Sequence, residues 1–328
     1  MFYKDLRKIG CLTVLFFIIL ILTFSESFAQ KKEYPEKAIK LVVGTEPGGI
    51  SDLGARALSD KFAEKLGVPV MIFNKPGGGG VDALVDVVNA KPDGYTLVTM
   101  TDGGVIGQVI SPNIPYDCSR DFIPIGTFGL TPTLIAVNSN SSFNTIEELL
   151  DYAKRNPKKL KCGTPGSNSF SHFNFELFKS YEKVDITGVP FKASPQAVTA
   201  LLGNHVDLIS STLPPINGQL KAGRFRGLAT TNKIKEFPNI PTFSEKGLTR
   251  ELMGSWTGIL APTKIPQNVH KKLVEAFEKT VKDQEVIQKL EMVGFASYVI
   301  GPDAFAQLIK RKFENFSELV KKIGPESN

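Results

Sequence analysis

The sequence predicts an α/β protein with two lobes and a ligand cleft between them. Short apolar strands alternate with helical patterns, which favours βαβ units and a mostly parallel sheet. A strand, a loop of small residues and a helix start occur together near the N-terminus and again near the middle of the chain. The 328 residues exceed the usual size of one domain, which favours two lobes.

Residues 1–29 are expected to be a cleaved secretory signal peptide. Lys4, Arg7 and Lys8 form a basic start, the apolar run 12–24 follows, and Ser27-Phe28-Ala29 has the small residues of a cleavage site. No later stretch approaches the roughly 20 apolar residues that a membrane-spanning helix needs. The sequence therefore predicts an exported, soluble protein that is cleaved near Ala29.

The first copy of the arrangement runs from a strand at 39–43 through Gly48 and Gly49 into a helix from Asp52 to about Leu66. Such a loop lets backbone N–H groups converge on a ligand where the first turn of a helix leaves them unpaired. The helix dipole favours an anion at this position. Taken alone, the stretch is equally compatible with an ordinary strand-to-helix turn. An apolar run at 68–73, a helix at 81–90 and a strand at 95–100 follow.

The second copy consists of a strand at 160–163, a loop at 164–169 and a helix at 171–181. A helix at 142–156 precedes it, with Asn144 as the N-cap and Glu147 three residues later. The remaining predictions are strands at 186–191, 206–210, 226–230 and 256–261, and helices at 194–202, 268–282, 284–293 and 302–323. Parallel strands end at one edge of each sheet, so both loops are expected to line the cleft.

Composition excludes several classes of function. The formal net charge of +6 is spread along the chain without a basic stripe interleaved with aromatics, so nucleic acid is not implied. A modest positive charge suits an anionic small ligand. The three histidines lack metal-ligand spacing, and glycines 77–80 lack the spacing of a dinucleotide loop, so neither a metal nor a cofactor is predicted. Glycines 77–80 are interpreted as a turn beside the cleft.

Two cysteines, Cys118 and Cys162, follow the signal peptide, and the sequence leaves open whether they form a disulfide or remain two inert thiols. An exported serine hydrolase is the rival class of function. Its G-x-S-x-G nucleophile motif is absent from the loop at 166–169. The sequence therefore predicts a protein that is not an enzyme.

Seven motifs in order resemble the Bug/TctC family, the extracytoplasmic solute-binding proteins of tripartite tricarboxylate transport systems. The resemblance covers essentially the whole mature chain. Each motif is weak alone, and their order makes the resemblance specific. They are Tyr34-Pro35-Glu36-Lys37-Ala38-Ile39, Gly48-Gly49-x-x-Asp52, Asn74-Lys75-Pro76-Gly77-Gly78-Gly79-Gly80, Pro92-Asp93-Gly94-Tyr95-Thr96-Leu97, Asp121-Phe122-x-Pro124-Ile125, Val189-Pro190-Phe191-Lys192 and Gly203-x-x-Val206-Asp207.

The resemblance implies a periplasmic-binding-protein-like fold, type II-like, that closes on a small organic carboxylate. Candidate solutes are dicarboxylates, tricarboxylates, aromatic carboxylates and amino-acid-like compounds. Lobe 1 is expected to comprise residues 30–137 and 250–328, and lobe 2 residues 138–249. The resemblance also implies a monomer in the periplasm that delivers its solute to the large and small subunits of a membrane permease. A binding protein that feeds a sensor or regulator remains the alternative.

In this family, backbone amides and small hydroxyl groups of two loops hold the ligand carboxylate, often with bridging waters. The resemblance carries this role to Gly48, Gly49, Ile50, Ser51 and Asp52 in one lobe and to Gly166, Ser167, Asn168 and Ser169 in the other. Neighbouring positions expected to face the cleft are Thr101, Asp102, Phe191, Lys192 and Ser210. Asp52 is interpreted as a helix N-cap, a role that is compatible with one in the cleft. Asn168 and Ser169 could cap the helix near Ser171, but their placement opposite the first loop favours a binding role.

Glu46 departs from the family pattern and is a candidate specificity residue. An ionised carboxylate directed at an anionic ligand would repel it, so Glu46 either faces away or pairs with an amino group of the solute. Asp82 and Asp102 also add acid near the predicted cleft. Together these acidic residues weigh against a simple dicarboxylate or tricarboxylate, and a Glu46 that pairs with an amino group would favour an amino-acid-like solute.

Overall fold

The computed structural model describes residues 33–111, 113–166, 169–191, 194–248 and 254–323. The predicted signal peptide lies outside these residues. The described residues from Lys37 onward form one compact unit that contains both sheets. In the part of the chain that the structure describes, no helix is long and apolar enough to cross a membrane.

Strands and helices alternate along most of the chain. Their bounds are β1 (Ile39–Val43), α1 (Ile50–Leu66), β2 (Val70–Asn74), α2 (Val81–Val88), β3 (Thr96–Thr101), α3 (Asp102–Ile110), β4 (Phe122–Thr131), β5 (Thr133–Asn138), α4 (Ile146–Arg155), β6 (Lys161–Thr164), α5 (Phe170–Glu182), β7 (Thr187–Pro190), α6 (Ser194–Leu202), β8 (Leu208–Thr212), α7 (Leu213–Lys221), β9 (Phe225–Thr230), β10 (Ser255–Pro262), α8 (Gln267–Val281), α9 (Gln284–Met292) and α10 (Pro302–Ile323).

The strands form two five-stranded mixed sheets, which confirms the predicted α/β class. Their orders are β2-β1-β3-β10-β4 and β7-β6-β8-β5-β9. In each sheet one strand runs against the others: β10 is antiparallel to β3 and β4, and β5 is antiparallel to β8 and β9. These are the strands with which the chain enters a sheet from the other one. In each case the chain enters the sheet at the edge where the neighbouring strands end, so the entering strand runs antiparallel to them.

The chain passes from the first sheet to the second at Pro132, because β4 ends at Thr131 and β5 begins at Thr133. Residues 133–137, predicted to belong to lobe 1, thus pair within the second sheet. The division into two lobes with these boundaries stays a prediction. The predicted boundary at residues 249 and 250 lies outside the described residues.

Apolar clusters cover both faces of the second sheet and connect it to the first. Helices α4 and α5 pack on one face, and α6 and α7 pack on the other. A further cluster joins the first sheet to α2, α3 and α10, and Phe170 and Phe173 of α5 belong to it. The rings of Phe173 and Phe316 meet edge to face with centroids 5.9 Å apart. The start of α5 therefore packs against helices that cover the first sheet.

Most predicted elements are confirmed within a few residues, but three elements are absent from the prediction: α3, β4 as a ten-residue strand, and α7. The predicted cap of α4 is wrong by one residue. Thr145, not Asn144, is the N-cap, and its hydroxyl accepts the amide of Glu148 at 3.2 Å. Glu148 in turn accepts the amide of Asn144 at 2.6 Å, so the capping box is shifted by one position.

Both cysteines are free and buried, Cys118 in the cluster of the first sheet and Cys162 in that of the second. Burial raises the pKa of each thiol above its ordinary value. We expect the mature protein to show no reaction with a thiol reagent at pH 8 while folded, and two reactive thiols in guanidinium chloride. Rapid reaction of either thiol in the native protein would contradict this packing.

Candidate functional site

The loop between β1 and α1 presents unpaired backbone amides at the end of a buried strand. Gly48 has φ +79°, a conformation that favours glycine, and Gly49 is the N-cap of α1 without a side-chain cap. The amide of Gly49 donates to the carbonyl of Glu46 at 2.9 Å, which closes a tight turn. Among the described residues, no acceptor takes the amides of Ile50 and Ser51. These two N–H groups are available to an anion.

Asp52 is neither the N-cap nor a group open to the cleft. It is the third residue of α1 and is 1% exposed. One carboxylate oxygen accepts the amide of Gly48 at 2.9 Å and the other accepts Nδ2 of Asn74 at 2.8 Å. Nε of Arg56 donates to both oxygens. Burial acts to raise the pKa of Asp52, but the hydrogen bonds from Arg56, Gly48 and Asn74 hold that pKa below its usual value.

Three helix starts converge at the carboxyl edge of the first sheet, because β1 lies between β2 and β3 in parallel register. Glycines make this approach possible: a Cβ at Gly44 would lie 2.7 Å from Cα of Gly80, and one at Gly103 would lie 2.4 Å from the carbonyl oxygen of Gly79. Thr101 is the N-cap of α3 and accepts the amide of Gly103 at 3.2 Å. The loop of glycines 77–80 therefore belongs to the site.

A small cavity lies among the three helix starts. Its volume, measured as the space open to the centre of a water molecule, is about 10 Å³, and the cavity can hold about one water. Hydroxyl groups and glycines of all three loops line it: Gly44, Thr45, Ser51, Gly79, Gly80, Thr99, Thr101 and Gly104, with Leu84 and Met100. Such a position suits a water that connects the loops to a ligand, as the family resemblance implies.

The prediction that Asp102 faces the cleft is not borne out by its surroundings. Asp102 is fully buried, and its carboxylate accepts the amide of Trp256 at 3.2 Å and lies 3.9 Å from Nζ of Lys312. Burial raises the pKa of Asp102 to about 6, against the lowering effects of Lys312 and the Trp256 amide. Its carboxylate therefore connects α3 to β10 and α10 inside the protein.

The loop between β6 and α5 is partly described, since Ser167 and Asn168 lie outside the described residues; Lys192, which follows β7, also lies outside them. Ser169 is the N-cap of α5: its hydroxyl accepts the amide of His172 and donates to the carbonyl of Gly166. The backbone amide of Ser169 also donates to Gly166, so both donors of this residue are used within the loop. This geometry corresponds to the capping alternative for Ser169.

Two other residues predicted to face the cleft, Phe191 and Ser210, make contacts inside the protein. Phe191 packs against the apolar cluster of α6 and α7. Ser210 is 2% exposed, and its hydroxyl donates to the carbonyl of Ser171 in the first turn of α5 at 3.1 Å. Gly166, with φ +129°, is the described residue of this loop that needs a glycine conformation.

Lys312 lies between the helix start that follows β3 and the helix start that follows β6. Its Nζ lies 3.9 Å from the Asp102 carboxylate and 5.8 Å from the ring centroid of Phe170, the first residue of α5. The ammonium group is also 5.6 Å from the ring of Phe316. Ammonium groups at such distances from aromatic rings are attracted by the ring electrons. Lys312 thus connects the helix start after β3 to the helix start after β6.

Comparison with known proteins decides the family. Residues 54–325 match the model of TctC, the tripartite tricarboxylate transporter family receptor. A UPF0065 protein encoded in the tcbD-tcbE intergenic region of Pseudomonas sp. strain P51 is 30% identical over 320 residues, covering 96% of this chain and 95% of that protein. The chain belongs to the TctC family. TctC proteins are periplasmic solute-binding proteins that work with the membrane components of tripartite transporters.

Solved structures of TctC-like proteins share this fold. A structure described as a periplasmic transporter superimposes with a TM-score of 0.77 and 33% identity, covering 89% of this chain and 99% of that one. MatC from Rhodopseudomonas palustris, solved with bound malate, has a TM-score of 0.72 and 26% identity, and the match covers 88% of this chain and 100% of MatC. The periplasmic-binding-protein-like fold predicted from the sequence is thus confirmed.

Two residues beside the first loop, Arg56 and Asn74, are not among the residues predicted from the sequence. Both contact the carboxylate of Asp52, and Asn74 also holds the carbonyl of Thr45. The contact of Arg56 could have been found from the sequence, because Arg56 follows Asp52 by one helical turn. Asn74 is on another strand, and no local sequence pattern indicates its contact with Asp52. No group of His, Cys, Asp and Glu within the described residues could hold a metal ion.

Proposed function

We propose that this protein captures a small organic carboxylate in the periplasm and delivers it to the membrane subunits of a tripartite transporter. The observation that carries the proposal is the convergence of three helix starts, with unpaired amides at Ile50 and Ser51, at one edge of the first sheet. Amides and helix dipoles offset the charge of a carboxylate without a counterion. MatC, a relative of similar fold, holds malate.

The proposed site combines the two loops. Gly48, Gly49, Ile50 and Ser51 hold one end of the solute from the first sheet. Gly166, Ser167 and Asn168 bind from the second, with Lys192 near them. Closure around the solute excludes water and strengthens each hydrogen bond. The permease then recognises the closed form, whose population rises with the difference in solute affinity between closed and open forms.

The acidic residues of the described loops favour a solute without an amino group. The carboxylates of Asp52 and Asp102 are both engaged inside the protein. Glu46, at the tip of the first loop, and Asp82, in the first turn of α2, are both exposed and are the remaining candidates to bind an ammonium group. We propose that Glu46 faces away from the solute, and that the solute is a carboxylate whose charge is offset by amides.

Thermal unfolding of residues 30–328 tests this function. The panel contains malate, adipate, citrate, benzoate, aspartate and glutamate, added after unfolding and refolding to remove any retained solute. A solute at 100 times its dissociation constant adds about 2.7 kcal/mol to the free energy of unfolding. We expect the largest shift from a carboxylate without an amine, and an equal shift in Glu46→Gln. A shift from amino acids alone that Glu46→Gln abolishes would contradict the proposed solute class, and no shift would contradict carboxylate binding.

Delivery and localisation have separate tests. The periplasmic fraction of the source cells should contain a chain that begins at Gln30, as mass spectrometry of the intact protein would show. Cells that lack this protein should lose uptake of the radiolabelled solute while the permease subunits remain present. Unchanged uptake combined with a lost transcriptional response to the solute would instead indicate input to a sensor.

A further inference from the structure

A hydrogen-bonded network lies behind the first ligand loop and holds both of its ends. Asn74, the last residue of β2, donates from Nδ2 to the carbonyl of Thr45 at 2.9 Å and to Asp52 at 2.8 Å. Asp52 accepts the amide of Gly48 at 2.9 Å. The carbonyl of Thr45 and the amide of Gly48 are thus fixed to the same pair of side chains. The intervening residues carry the turn that leads into α1.

Arg56 completes the network from the next turn of α1. Its Nε donates to both oxygens of Asp52 at 3.0 and 2.9 Å, and its Nη2 donates to Oδ1 of Asn74 at 3.4 Å. The Asp52 side chain is 2% exposed, whereas that of Arg56 is 53% exposed. A buried carboxylate is retained in a fold when its oxygens have charged and amide donors. Here the donors come from β2, from the loop and from α1.

None of these three residues lines the cavity among the helix starts. Their hydrogen bonds nevertheless hold both ends of the loop that precedes the amides of Ile50 and Ser51. Within the loop, the Gly49 amide also donates to the carbonyl of Glu46. The hydroxyl of Thr45 accepts the amide of Asp52 at 3.3 Å, and Gly48 is exposed. A loop that is ordered before the ligand arrives avoids the free-energy cost of ordering it on binding.

We propose that Asn74 and Arg56 are positioning residues for solute capture and act through Asp52. They hold the first loop with its free amides already directed at the ligand, and they do not touch the ligand themselves. This inference rests on the proposed function of the loop as a carboxylate site. It adds two residues, one of them on a neighbouring strand, to the determinants of affinity.

Hydrogen–deuterium exchange of the ligand-free protein gives the first test. We expect Asn74→Ala to accelerate exchange of the segment 44–53 by about tenfold or more, as the loss of hydrogen bonds involving a charged group predicts. Arg56→Gln, at a half-exposed position that does not affect folding of the core, should act in the same direction. Segment 160–166 of the second sheet should exchange as in the wild-type protein.

Matched controls separate positioning from general loss of stability. Asn138 ends β5 and donates to the carbonyls of Leu201 and Leu202, so Asn138→Ala removes comparable bonds far from the loop. Arg120 pairs with Asp121 on the surface, so Arg120→Gln removes a comparable ion pair. Neither control should change exchange of the segment 44–53.

Calorimetric titration with malate gives the second test. We expect malate to bind about tenfold more weakly to Asn74→Ala and Arg56→Gln than to the two controls. Unchanged exchange at 44–53 in both variants, or affinities equal to those of the controls, would overturn the inference. Failure of the wild-type protein to bind malate would count against the proposed function for that solute, while the exchange comparison would still support or overturn the role of the network.

Discussion

Replacement of Gly103 by alanine is expected to lower the free energy of unfolding by about 1–3 kcal/mol and to abolish solute binding. A Cβ at this position would lie 2.4 Å from the carbonyl oxygen of Gly79 and 3.3 Å from its carbonyl carbon. These are backbone atoms at the start of α2, so relief of the contact requires two of the three helix starts to separate. The lining of the cavity between them would be lost.

Gly218→Ala is the matched control for this prediction. Gly218 is also inside a helix, α7, and a Cβ there would meet nothing within 4 Å. Alanine favours helix over glycine by about 0.5–1 kcal/mol, so this variant should gain stability. Urea unfolding of both variants and thermal shifts with the solute panel provide the measurement. Equal stability of the two variants would show that α2 and α3 do not approach as closely as the structure has them.

The first loop and its flanking elements could be predicted because the information for them is local. The strand at 39–43 is confirmed residue for residue, and α1 begins two residues before the predicted start. Small residues after an apolar strand, followed by helical spacing, need no distant partner to be recognised. The same reasoning predicted the strand, loop and helix around Gly166.

Helix α3 could not be predicted because its own sequence opposes it. Three of its nine residues are glycines, which are poor helix formers. The glycines are required by the surroundings: a Cβ at Gly104 would lie 2.5 Å from the side chain of Leu84, and one at Gly107 would lie 2.5 Å from that of Val81. Tertiary packing therefore outweighs helix propensity here. Helix α7 was not predicted for a similar reason: Pro214 and Pro215 are poor helix formers in general, although both lie in its first turn, where proline is tolerated.

The side-chain contacts of the site lie beyond the reach of sequence patterns. Asp52 and Asp102 both lie in the first turn of a helix that follows a strand, and the sequence placed both near the cleft. Asp52 is paired with Arg56 and accepts a hydrogen bond from Asn74, and Asp102 is buried beside Lys312. These pairings depend on which strands are neighbours in the sheet and on where α10 returns. The starts of α1, α2 and α5 were predictable, whereas the direction of each carboxylate was not.

The second large effect is expected from the buried pair of Asp102 and Lys312. Burial raises the pKa of Asp102 to about 6 from its ordinary 3.8. Between about pH 4 and 6 the folded protein therefore binds one more proton than the unfolded chain, and the free energy of unfolding falls as the pH rises through this window. The slope stays somewhat below the value for one full proton, and the whole loss across this window is about 3 kcal/mol.

Other carboxylates give the opposite slope, but at lower pH. Hydrogen bonds hold the pKa of Asp121 and Asp86 below the ordinary value and that of Glu64 at about 2, so these groups lose their contribution as the pH falls through their ordinary values, 3.8 for Asp and 4.5 for Glu. The difference in urea unfolding between the wild-type protein and Asp102→Asn, at intervals from pH 4.5 to 7.5, therefore isolates Asp102. The emission of Trp256, the protein's single tryptophan, whose amide donates to Asp102, provides a local readout of the same titration.

Asp102→Asn should remove the slope, whereas Asp207→Asn should keep it, because Asp207 is exposed and accepts the amide of Lys161 in the second sheet. Lys312→Met should cost about 3–5 kcal/mol at pH 7.5, where it leaves an ionised carboxylate buried without its partner. The cost should fall at pH 5, because Asp102 then takes up a proton and no longer needs the ammonium group. A cost that is independent of pH would mean that Lys312 stabilises the fold through its packing on Phe170 and Phe316 and not through the charge of Asp102.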